Sequence, residues 1–66
     1  MKYDYNEPEK VMVVCTDNGN EVEGEILSTS HNSVRVNVHG IVMNFVKIKP
    51  SVYVTNMSGK EFVIKL

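Results

Sequence analysis

Residues 21–45, EVEGEILSTSHNSVRVNVHGIVMNF, decide the fold. Apolar and polar residues alternate through Val34-Arg35-Val36-Asn37-Val38 and, apart from Val42, again from Ile41 to Phe45. A period of two is the mark of a strand with one buried face. His39-Gly40 between them predicts a two-residue turn, which pairs Val38 with Ile41, Val36 with Met43 and Val34 with Phe45. All of these are apolar, so the hairpin has a continuous core face. The outward residues of the same hairpin are Arg35, Asn37, Asn44 and Val42, with Arg35 opposite Asn44.

Upstream, two turn lengths compete at residues 30–32. A two-residue turn at His31-Asn32 would set Ile26 against Asn37 and mix the faces. A three-residue loop, Ser30-His31-Asn32, pairs Ile26 with Val36, Gly24 with Val38, Glu25 with Asn37 and Glu23 with His39. That loop is preferred because it keeps the core face apolar, with Asn32 suited to the left-handed position. Before it, Asp17-Asn18-Gly19-Asn20 predicts a two-residue type I′ hairpin, since Asn-Gly accepts positive φ at both central positions. This turn pairs Cys15 with Val22, Val13 with Gly24 and Val11 with Ile26, and leaves Glu21, Glu23 and Glu25 as an acidic outer stripe.

Downstream, the alternation changes phase after Phe45, where Val46 and Ile48 follow Ile41, Met43 and Phe45. A one-residue phase change predicts a bulge or sharp bend, and Gly24 predicts a second. Pro50 has no N–H and interrupts the ladder. A strand over 52–56, a three-residue loop at Met57-Ser58-Gly59 and a strand over 60–65 complete the chain, with Val54 opposite Phe62, Val52 opposite Ile64 and Tyr53 facing out beside Val63. Residues 1–9 are polar apart from Met1, Tyr3, Tyr5 and Pro8, and are expected to form a short N-terminal arm. The expected fold is therefore all-β: a small antiparallel, strongly bent barrel of five to six strands over residues 10–66. Its expected core is Val11, Val13, Cys15, Val22, Ile26, Val34, Val36, Val38, Ile41, Met43, Phe45, Ile48, Val54, Phe62 and Ile64.

Gly19, Gly24 and Ile26 keep the spacing of a turn glycine, a strand glycine five residues on and an aliphatic residue two further. In this, NGNEVEGEI at residues 18–26 resembles part of the Sm-like signature. The resemblance implies a bent five-stranded barrel, ring oligomers and RNA bound at the ring surface. The chain departs from that family in having neither an aromatic-Lys-His segment nor an Arg-Gly pair, so no RNA-binding residue carries over.

Sixty-six residues suffice for one domain. A domain this small buries only about 60% of its unfolded surface, and disulfides, metals or self-association commonly supplement its core. Cys15 is the only cysteine, which excludes an intrachain disulfide. With His31 and His39 it makes no zinc-ligand spacing, so neither metal nor cofactor is expected. Oligomerisation remains, and the outward Met12, Val14, Val42, Tyr53 and Val63 are the expected interface. A net charge of −1 argues against general nucleic-acid binding, which draws on a basic excess. No apolar run approaches the about 20 residues of a membrane-spanning helix, and MKYDYNEPEK has no apolar signal core. A lone thiol fits a reducing cytoplasm.

No nucleophile stands with a base and an orienting group, so no catalytic residue is expected and the protein is read as a non-enzyme. Arg35, Asn37, His39 and Asn44, extended by Lys47 and Lys49, form the candidate ligand-binding patch. Arg and Asn are suited to phosphate and to base edges. The expectation is an oligomeric binding module for a nucleotide or RNA. The alternative is a protein-interaction module, such as a small phage or mobile-element regulator that inhibits a larger partner.

Overall fold

The structure is a computed structural model that describes residues 9–66. Six strands follow one another as β1 (Lys10–Cys15), β2 (Glu21–Thr29), β3 (Ser33–Val38), β4 (Ile41–Lys49), β5 (Val52–Met57) and β6 (Lys60–Lys65). Each pairs antiparallel with the next, and β6 returns to β1 to close a barrel. This is the expected all-β barrel, with six strands rather than the five implied by the Sm-like resemblance. The expected arm, apart from Glu9, lies outside the described residues.

The β3–β4 hairpin has the expected register throughout, from Val38↔Ile41 to Ser33↔Val46. His39 and Gly40 both take positive φ, +52° and +85°, as a type I′ turn requires. Closure follows from the core face: Val34, Val36, Met43 and Phe45 are buried beside Val11, Val13, Val38 and Ile64. Phe45 and Val36 have no exposed surface. Cys15 is also buried, as expected.

Three other turns differ from expectation. In β1–β2 the register is Val13↔Val22 and Val11↔Gly24, two residues from the expected pairing. The faces are unchanged because a two-residue shift preserves parity. The cause is a longer loop: the Cys15 N–H donates to the Asn20 carbonyl at 2.9 Å, and only Gly19 in it is left-handed, φ +74°. Asn18 instead accepts from the Asn20 N–H through its Oδ1 at 2.9 Å, an Asx turn. Thr16 is drawn to β6, where its N–H donates to the Glu61 carbonyl at 3.0 Å and its hydroxyl to Glu61 Oε1 at 2.9 Å.

The β2–β3 connection is the two-residue turn, His31-Asn32, with Ser30 N–H donating to the Ser33 carbonyl at 2.8 Å. Face mixing is avoided by a bulge. Pairing runs Ser28↔Arg35, skips Leu27 and resumes at Ile26↔Val36, so the expected Ile26–Val36 and Glu25–Asn37 partners are kept. In β5–β6, Ser58-Gly59 is a two-residue turn with φ +55° and +76°. The register therefore moves by one, to Tyr53↔Ile64 and Val54↔Val63. Tyr53 packs against the core and Val54 takes its place outside. The expected phase change in β4 is a bulge at Ile48, between Lys47↔Tyr53 and Lys49↔Val52. Ile48 is 62% exposed and Ile41, at the barrel mouth, 52%, so neither joins the core. Val22, Ile26 and Phe62 pack against the core only partly buried.

Candidate functional site

The patch is built on the outward face of β3. Three alternate residues, Ser33, Arg35 and Asn37, face away from a core row of Val34, Val36 and Val38. The rigid β3–β4 register sets Arg35 directly opposite Asn44, as the sequence implies. Both are exposed.

The sequence-derived residues divide between two polar grooves. Arg35 and Asn44 line one of about 210 Å³ with Ser28, Thr29, Ser30 and Ser33. Ser30 and Ser33 hydroxyls lie 2.8 Å apart, and the Ser30 hydroxyl reaches the Ser33 carbonyl at 3.5 Å. These hydroxyls flank the His31-Asn32 turn. They reach Arg35 because the Leu27 bulge shifts β2 by one residue and sets Ser28 directly opposite it. No sequence signal marks that bulge, since Leu27 is a plain aliphatic residue in a strand.

Asn37 and His39 line a second groove, of about 240 Å³, with Lys10, Glu23, Gly24, Glu25 and Gly40. Asn37 is directly opposite Glu25 and Val42. Its Oδ1 is buried without a hydrogen-bond partner. A buried acceptor in that state is costly and uncommon. His39 sits in the exposed turn and shares the groove with Glu23. Glu23 itself lies 4.0 Å from Lys10 Nζ, the one ion pair among the described residues.

Lys47 and Lys49 join neither groove. Lys47 is opposite Tyr53, on the parity that faces the barrel interior, and its N–H donates to the Asn32 carbonyl at 2.8 Å. The Ile48 bulge then turns Lys49 against Val52. The expected patch is therefore split, with Arg35 and Asn44 among the hydroxyls of Ser28, Thr29, Ser30 and Ser33, Asn37 and His39 in the neighbouring groove, and the two exposed lysines lining neither.

The apolar outer residues also regroup. Val14 and Val63 are directly paired across the β1–β6 seam, with Met12 nearby in one groove. Val42 lies elsewhere, opposite Asn37. Tyr53 faces inward, which removes it from the expected interface. Among the described residues no group of His, Cys, Asp and Glu is placed to hold a metal, and no helix is long and apolar enough to cross a membrane. Comparison with protein-family models, curated proteins and solved structures finds no match to this chain.

Proposed function

We propose that this barrel is a non-enzymatic module that binds a nucleotide or single-stranded nucleic acid on the outer face of β3 and β4. The observation that carries it is Arg35: an exposed guanidinium opposite Asn44, ringed by four hydroxyl side chains, with no carboxylate paired to it among the described residues. A planar guanidinium beside hydroxyl donors is a fitting seat for one phosphate. Two residues along β3, Asn37 lines the neighbouring groove, and an amide there is suited to a base edge. The acidic neighbours Glu23 and Glu25 oppose a long polyanion, which favours a short ligand. A reducing cytoplasm remains the setting that the lone thiol Cys15 fits.

Fluorescence anisotropy with short labelled RNA and DNA oligonucleotides, and calorimetry with mononucleotides, test this. Arg35→Ala is expected to weaken binding about tenfold to a hundredfold, the range for a charge-assisted hydrogen bond. With one cation engaged on a single strand, log K should fall with log salt at a slope of only about −0.7. Binding that survives Arg35→Ala and Asn44→Ala unchanged would remove the proposal.

A further inference from the structure

The observed registers assemble a row that the sequence does not show. Val14 is directly opposite Val63, Val63 opposite Val54, and Val54 opposite Val46. Four outward valines thus stand side by side on the consecutive strands β1, β6, β5 and β4, three of them half-buried and Val46 exposed. At strand spacings of about 4.8 Å the row is about 14 Å long. Beside it, Met12, Val14 and Val63 line a groove of about 430 Å³ that also includes Glu21 and Lys65.

We infer that this row is the contact face between two copies of the chain, related by a two-fold axis. The argument for a second copy is charge. An isologous contact requires one surface to complement itself, so that residue i meets residue j of the other copy and the reverse. The valine groove carries an acid and a base on its rim, Glu21 and Lys65. Neither is in an ion pair within the chain among the described residues. A two-fold axis passing between them would set each Glu21 against the Lys65 of the other copy. A rim of one sign would instead have fitted a different, oppositely charged protein.

A stable interface takes about 800 Å² from each partner, about one sixth of the 4571 Å² exposed here. The row crosses four of the six strands. At its β4 end the row adjoins the Arg35 groove, because Val46 is directly opposite Ser33.

Light scattering and sedimentation equilibrium on the full chain, from micromolar to near-millimolar concentration, provide the test. The expected mass at the upper end is that of two chains. Val54→Lys and Val63→Lys should give monomers with unchanged far-ultraviolet circular dichroism. Should either variant fail to fold, the exposed rim decides. Glu21→Lys and Lys65→Glu should each weaken association about tenfold, as expected for like charges brought together, and the double exchange should restore it. A monomer at every concentration overturns the inference and leaves the row to a different protein partner. A dimer indifferent to Val63→Lys, or one that the double exchange does not restore, overturns it as well.

Discussion

Gly24 shows how one atom constrains the barrel. A Cβ at this position would lie 2.6 Å from Val36 Cγ1 and 3.1 Å from Val38 Cγ2. Val36 is fully buried and its branched side chain is stiff at χ1, so a Cβ at residue 24 would force β2 and β3 to shift. The sequence marks Gly24 as unusual, a glycine in mid-strand, and the expected consequence is a bend. The reason is instead a cross-strand packing contact, visible only once β3 is in place. Gly24→Ala should destabilise the domain by about 1–3 kcal/mol, as overpacking does, and lower the urea midpoint. An unchanged or raised midpoint would show that the strands are not this close. Asn37 carries the parallel lesson for the site. Its type and outward parity were legible, but its orphaned Oδ1 depends on neighbours that only the fold supplies.

Turns decided which elements could be read. His39-Gly40 was legible because a turn one residue longer or shorter would have broken an apolar face made by six residues on two strands. The β2–β3 turn was equally constrained on paper, yet the chain reaches the same core pairing by another route, a shorter turn and an extruded Leu27. Turn length and bulge compensate, and the face pattern cannot separate the two solutions. In β5, the sequence VYVT has apolar or β-branched residues on both parities, so alternation is silent and the turn alone sets the face. Ser58-Gly59 sets it by adopting positive φ at both positions. For a serine that conformation is unfavourable, and asparagine tolerates it better. Ser58→Asn should therefore stabilise the protein by about 0.5 kcal/mol, and Ser58→Val should destabilise it by about 1 kcal/mol or more. Both are read from chemical unfolding midpoints. A three-residue loop with Tyr53 outside predicts no such contrast, so equal midpoints for the two variants would restore that register.

At the scale of the whole barrel, closure rests on the β1–β6 seam. It joins the first and last strands of the chain, and its ladder is short: Val14↔Val63, Cys15↔Phe62 and the Thr16–Glu61 bonds. The other strand pairs are hairpins or near neighbours in sequence, so the seam bears the largest loop-closure entropy of any pairing in the fold. Cys15 lies in this seam and is 5% exposed, which makes its thiol a reporter of closure. In the closed barrel a thiol reagent reaches it only when β1 parts from β6 or the domain unfolds. A domain of this size has about 3–5 kcal/mol of stability, which places native labelling roughly a hundredfold to a few thousandfold below the rate in denaturant. Thr16→Val removes the hydroxyl bond to Glu61 Oε1 at the exposed end of the seam while keeping a β-branched residue there. If the seam opens by itself, this variant should speed labelling severalfold with little change in the global unfolding midpoint. If Cys15 is reached only by whole-domain unfolding, labelling should instead follow the midpoint in Thr16→Val and Gly24→Ala alike. Labelling of the native protein at the denatured rate would mean that β1 and β6 are not paired at all, and the outer valine row that depends on their register would go with them.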